Sequence, residues 1–171
     1  MTRIIGIDPG SLITGYGVID SNGRDSIHII SGAIRLKGDS LPDKLGKIFS
    51  EVGNIIEEWQ PDQMSIENVF MARSAAAALK LGQARGAAIC AGVDRGLPVA
   101  EYSPKEVKQA VVGTGGAAKE QVQHMVKLLL NLKGKQQADA ADALAVALSH
   151  AHTGHTRDRL EAMKNRRAVK S

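Results

Sequence analysis

Residues 3–8, RIIGID, form a nearly continuous apolar run that halts at Asp8-Pro9-Gly10. A run this short and this apolar reads as a buried strand, and a buried strand needs cover on both faces. That requirement selects a layered fold. Residues 15–20 (GYGVID) form a second strand, and Asp20-Ser21-Asn22-Gly23 is a strong turn signal before a third over residues 26–36. These three predict an antiparallel meander. Ser40 caps a helix with Pro42 in its first turn, and Leu41, Leu45, Ile48, Phe49, Val52, Ile55, Ile56 and Trp59 follow at spacings of 3 and 4 up to Pro61.

Residues 63–67 (QMSIE) predict a fourth strand, residues 74–95 an alanine-rich helix closed by Gly96, and residues 99–102 a fifth strand. Ser103-Pro104-Lys105-Glu106 is a capping box that starts a helix running to about Val112. Gly113-Thr114-Gly115-Gly116 breaks it, and two more helices are expected over residues 118–132 and 137–152. The order βββαβαβααα is an α/β layer fold with a mixed sheet, three antiparallel strands followed by parallel ones, flanked by helices. Residues 1–152 are expected to form one domain. Residues 153–171, basic and without apolar periodicity, are expected to be a frayed or disordered tail.

A domain of 171 residues buries roughly 70% of its unfolded surface, so a substantial core is available. The lone Cys90 excludes a disulfide framework and a cysteine metal cage, which suits a reducing cytoplasm. No apolar run reaches the roughly 18 residues of a membrane span, and Met1-Thr2-Arg3 leads into a strand rather than a signal segment. A cytoplasmic protein with no membrane partner is expected. The net charge of +4 is unevenly spread: residues 1–67 carry 6 Lys/Arg against 10 Asp/Glu, and residues 68–135 carry 10 against 4. A basic middle between acidic segments suits a polyanion-binding surface around an acidic centre. A solvated charged face is the simpler reading, and it is favoured for the tail.

Four carboxylates stand out. Asp8 and Glu67 end strand-like runs, and Asp139 and Asp142 lie at i and i+3 beside Ala138, Ala141, Leu144, Ala145 and Leu148. Each has an ordinary explanation: a turn-former for Asp8, a solvated strand end for Glu67, and first-turn dipole complementarity for either helical aspartate. Those explanations do not account for two like charges on one core-facing helix face. If the first and fourth strands are neighbours and the last helix packs across them, all four converge. Two carboxylates 4 Å apart repel by about 4 kcal/mol at an effective dielectric of 20. Four cannot stay ionised together without a cation. Oxygen-only ligands select hard cations, Mg²⁺ or Mn²⁺, and two such ions could activate water and stabilise the leaving oxygen of a phosphodiester.

Residues 5–10 (IGIDPG), 66–71 (IENVFM), 80–86 (KLGQARG) and 139–145 (DAADALA) together resemble the RuvC family of bacterial Holliday-junction resolvases, in order from about residue 3 to residue 152. The resemblance implies a ribonuclease H-like fold and a homodimer. The implied activity is a Mg²⁺-dependent endonuclease that makes paired symmetric nicks in four-way junction DNA, with 5′-phosphate and 3′-hydroxyl products. Asp8, Glu67, Asp139 and Asp142 all match the family's acidic tetrad, with Mn²⁺ as a substitute metal and two ions per site. Cooperation with a branch-migration complex of RuvA and RuvB is also implied.

Phe70, one of only two phenylalanines, is either a core anchor for its loop or, from its place in the matched motif, a side chain that stacks on or wedges between unpaired bases. Arg73, Lys80, Arg85, Lys105, Lys108 and Lys119 are the candidate phosphate contacts. Lys108 and Lys119 match positions the family uses near the cleavage site. The Gly113–Gly116 break could admit a phosphate closely or serve as loop punctuation. His150, His152 and His155 lack a fourth ligand and are rejected as a zinc site. The small-residue helix over residues 74–95 is assigned to the dimer. Three other classes compete. An actin-like ATPase would need a second lobe, a hybrid-specific ribonuclease would need contacts to 2′-hydroxyls, and a non-catalytic junction-binding module would leave the acids idle.

Overall fold

The computed structural model describes residues 1–36, 38, 40–68 and 73–168, with side chains as far as residue 154. In chain order the elements are β1 (Thr2–Asp8), β2 (Ile13–Ser21), β3 (Ser26–Arg35), α1 (Leu41–Trp59), β4 (Gln63–Glu67), α2 (Ala75–Asp94), β5 (Val99–Tyr102), α3 (Pro104–Val112), α4 (Lys119–Leu129) and α5 (Ala138–Ala168). The sheet order is β3-β2-β1-β4-β5. Strands β1, β2 and β3 pair antiparallel, whereas β4 pairs parallel with both β1 and β5. The five-stranded mixed sheet expected from the element order is present.

Strand alternation sorts the side chains into two layers. Ile5, Ile7, Val18, Met64 and Ile66 point to the layer that holds α1 and α2, in a core completed by Ile48, Val52, Ala84, Ala88 and Ala91. Ile4 and Ile19 point the opposite way, into a core with Val107, Val122, Val126, Leu144 and Leu148 from α3, α4 and α5. Asp8 shares the parity of Ile4 and Gly6, and Glu67 shares that of Gln63 and Ser65. Both therefore face α5. On this face the Ser65 hydroxyl donates to the Val146 carbonyl at 3.3 Å.

Helix α5 lies unusually close to the sheet because the sheet offers it glycine. A Cβ on Gly6 would overlap the Ala143 carbonyl and crowd Ala147, and one on Gly15 would overlap the backbone of Asp139. The start of α5, which carries Asp139 in its first turn and Asp142 just beyond it, is thereby laid across β1 and β2.

Helix starts follow local chemistry. Ser40 accepts from the Asp43 amide and Ser74 from the Ala77 amide, while Ser103 and Glu106 complete both halves of a capping box. Two ends differ from expectation. Helix α4 stops at Leu129 rather than residue 132, because Asn131 adopts a left-handed backbone, φ 49°, and the Leu132 amide turns back to the Lys127 carbonyl. Helix α5 continues to Ala168 instead of ending at His152, where loss of apolar periodicity predicted a frayed tail. No proline interrupts residues 153–168, and Arg, Leu, Glu, Ala, Met and Lys there are good helix formers. Among the described residues, no helix is long and apolar enough to cross a membrane.

Candidate active site

The parallel pairing of β1 and β4, with Ile7 opposite Ile66, ends both strands side by side. Asp8 and Glu67 are the next residues on each, so their carboxyls meet at one edge of the sheet. Burial, the charges of Glu67 and Asp142, and a hydrogen bond to Glu67 push the Asp8 carboxyl up to about 8, with Lys119 partly opposing them. Burial likewise raises Glu67, while the bond from Asp8 and the charges of Lys119 and Lys108 pull it back. The bond raises Asp8 and lowers Glu67, so the two carboxyls titrate as a pair around one shared proton. This is the behaviour of crowded carboxylates short of a counter-charge.

The helical pair arrives from α5. Asp142 is met by α4: Lys119 Nζ lies 2.8 Å from its Oδ2, and Gln123 Nε2 donates to its Oδ1 at 3.1 Å. The hydrogen bond to Asp142 holds the Lys119 ammonium above its ordinary range, aided by the charges of Asp142, Asp8 and Asp139. One lysine thus interacts with all four carboxylates, and Asp142 also acts on Asp8 and Glu67. The four acids form one electrostatic unit.

The basic candidates are more scattered. Lys119 and Lys108 act on the acidic cluster. Arg85 is ion-paired with Glu101 of β5. Lys80 lines a cavity of about 170 Å³ with Ser11, Leu12, Leu41 and Lys44. The Lys105 stem lies over Gly115, and Arg73 is exposed just before α2. Phe70 lies outside the described residues. The glycine break is stapled by Gln109, which donates to the Gly113 carbonyl at 2.8 Å and accepts from the Gly115 amide at 3.1 Å. That favours loop punctuation over phosphate capture. His150 bonds Tyr102 and Gln63, each at 2.7 Å, and His152 bonds the Ala110 carbonyl, as expected of structural histidines.

Sequence reasoning missed Gln123 and the glycines under α5. Gln123 was findable only by its position: it lies one turn beyond Lys119 and so on the same helix face.

The donor set is oxygen-only, crowded, and balanced by a shared proton and a borrowed ammonium, which is the chemistry a hard divalent cation would satisfy. Among the described residues no three such side chains yet stand close enough together to hold an ion.

A mixed sheet in the order β3-β2-β1-β4-β5, with carboxylates at the ends of β1 and β4 and on the helix crossing them, defines a nuclease of the ribonuclease H-like class. The family model described as crossover junction endodeoxyribonuclease RuvC matches residues 4–150. A crossover junction endodeoxyribonuclease RuvC from Shewanella amazonensis is 56% identical over 171 residues, 100% of this chain and 97% of that protein. Its counterpart from Enterobacter sp. strain 638 is 60% identical over 152 residues, 89% of this chain and 88% of that protein. The Thermus thermophilus RuvC structure in complex with Holliday junction substrate superposes with a TM-score of 0.86 at 33% identity, covering 91% of this chain and 96% of that one. The chain belongs to the RuvC family of crossover junction endodeoxyribonucleases.

Proposed function

We propose that this protein resolves four-way DNA junctions as a homodimer, by paired symmetric nicks in recombination and repair, using Mg²⁺ or Mn²⁺ held by Asp8, Glu67, Asp139 and Asp142. The meeting of Asp8 and Glu67 at the C-terminal ends of β1 and β4, with Asp142 acting on both and Lys119 and Lys108 beside them, supports this reading. Two divalent ions, when bound, would supply Lewis acidity for water activation and for charge gathering on the leaving 3′ oxygen, leaving 5′-phosphate ends.

The chain's own residues prepare that chemistry. Asp8 and Glu67 share a proton that must depart before both can act as ligands. Asp142 is held by Lys119 at one oxygen and by Gln123 at the other. Lys119, 63% exposed, reaches across the cluster and is free to swing toward a phosphate once released. Lys108 adds positive charge beside Glu67, countering repulsion between the DNA backbone and the acids. The remaining basic candidates, Arg73, Lys80, Arg85 and Lys105, would hold the junction arms further out. Phe70 would stack on or wedge between unpaired bases at the crossover.

Dimerisation would use α2. Leu79 and Val93 are 68% and 60% exposed, and with Gly82, Gly86 and Cys90 they follow a 3-4-4-3 spacing along one face. That spacing fits helix-on-helix packing between two copies. A two-fold dimer presents two active sites to the two strands of a symmetric junction. Cooperation with RuvA and RuvB and a cytoplasmic location complete the reading.

The deciding experiment offers a mobile four-way DNA junction, an RNA–DNA hybrid and a linear duplex, each with Mg²⁺ or with EDTA. Paired nicks in the junction alone, dependent on Mg²⁺, are expected. Cleavage confined to the hybrid, or full activity in the Asp139→Asn/Asp142→Asn double variant, would overturn the proposal.

A further inference from the structure

Both oxygens of Asp142 are engaged from the same helix, and the two donors differ in kind. Lys119 Nζ sits 2.8 Å from Oδ2, carries a full positive charge and is 63% exposed, against 19% for Asp142. The Gln123 amide, 3.1 Å from Oδ1, is neutral and half-buried. Its helix is pinned at that point by Val122 and Val126, which are 7% and 0% exposed in the core shared with α5. The lysine is therefore the mobile partner and the glutamine the fixed one. An ammonium bound to a carboxylate competes with any other cation for it. An amide donor does not compete in this way: it leaves the carboxylate ionised and occupies one oxygen, so the other stays available.

We propose that Gln123 is a positioning residue of the cleavage reaction: its amide keeps the Asp142 carboxylate aimed into the acidic cluster when Lys119 exchanges that carboxylate for a DNA phosphate. The inference rests on the divalent-metal reading given above. It assigns opposite roles to two side chains one helical turn apart. Lys119 is the placeholder that neutralises Asp142 before the ion and the DNA arrive. Gln123 is the tether that stops Asp142 from swinging to solvent once the placeholder leaves. Partners of ligating carboxylates that act in this way typically contribute about ten-fold or more to metal affinity.

The test uses the full chain without DNA and Mn²⁺ as the probe, with free ion measured by electron paramagnetic resonance. Gln123→Met keeps the length and removes the donor. It should weaken Mn²⁺ binding about ten-fold and raise by a similar factor the Mg²⁺ concentration that gives half-maximal junction cleavage, with the rate recovering at saturating Mg²⁺. Lys119→Met should shift affinity the other way, tightening Mn²⁺ binding severalfold because the competing ammonium is gone. In an Asp142→Asn background, Gln123→Met should change Mn²⁺ binding no further. Unchanged Mn²⁺ affinity in Gln123→Met would overturn the inference, as would an equal loss in the Asp142→Asn background, which would mark a general loosening of α4. If the parent chain binds no Mn²⁺ at all, the metal reading itself fails and this inference with it. If the parent binds and Gln123→Met matches it, only the role of Gln123 is lost.

Discussion

The two halves of the acidic cluster cope with the same crowding in different ways. On the strands, Asp8 and Glu67 have no cation within their own pair and share a proton, with Asp8 pushed up to about 8 mainly by burial. On the helix, Asp142 is neutralised by the Lys119 ammonium and held by the Gln123 amide. The strand pair sits on adjacent strand ends of one sheet, where burial raises both carboxyls and the charges of Lys119 and Lys108 only partly oppose it. The helix pair faces α4, which can supply donors. The strand half is thus an acid poised to lose a proton, and the helix half is a carboxylate already paired and waiting to exchange partners.

The largest expected effect breaks the strand half. Asp8→Asn keeps the shape and the hydrogen bond to Glu67 but removes the ligand, so junction cleavage in Mg²⁺ should fall by a factor on the order of 10³ or more. Junction binding measured by gel shift in EDTA should persist or strengthen, since one negative charge facing the DNA is gone.

The same variant separates the halves by stability. A carboxyl whose folded-state value is raised contributes full stability while protonated, below about pH 3.8, and loses it as pH climbs toward about 8. In chelator, the parent protein should therefore lose stability between pH 4 and pH 8 relative to Asp8→Asn. The gap should reach a few kcal/mol, at about 1.4 kcal/mol for each pH unit between the two values. Denaturant melts at pH 4, 6 and 8.5 would show it, and parallel curves for the two proteins would remove the shared proton from the account.

The smallest effect concerns the scaffold that joins the halves. Gly6→Ala places a Cβ against the Ala143 carbonyl and Ala147, which should cost about 1–3 kcal/mol of stability by overpacking. It should also lower cleavage at saturating Mg²⁺, because pushing α5 off β1 moves Asp139 and Asp142 away from Asp8. Thermal unfolding and single-turnover cleavage on one preparation would read both. A stability loss with unchanged cleavage would show that the halves tolerate separation.

Much of this was legible in the chain. Strand β4 starts and β5 ends where the sequence places them, because Pro61 bounds the one and the Ser103-Pro104 cap the other. The four acids stood out as candidates because charge at the ends of apolar runs, and twice on one alanine-rich helix face, conflicts with the local pattern. The end of α4 was not legible: Leu128-Leu129-Leu130 continues the helical period, and only the left-handed turn at Asn131 stops it. Nor was the length of α5, since apolar periodicity reports burial, whereas good helix formers can carry a helix on after that period is lost.

By itself the sequence determined the elements and their order and singled out four candidate acids, since hydrophobic period, caps and misplaced charge are local properties of a chain. It could not determine that Asp8 and Glu67 meet and titrate as a pair, that Lys119 and Gln123 divide the oxygens of Asp142, or that glycine lets α5 lie against the sheet. Those facts depend on distances between residues up to more than a hundred positions apart. Only the parallel pairing of β1 with β4 and the seating of α5 across them fix such distances.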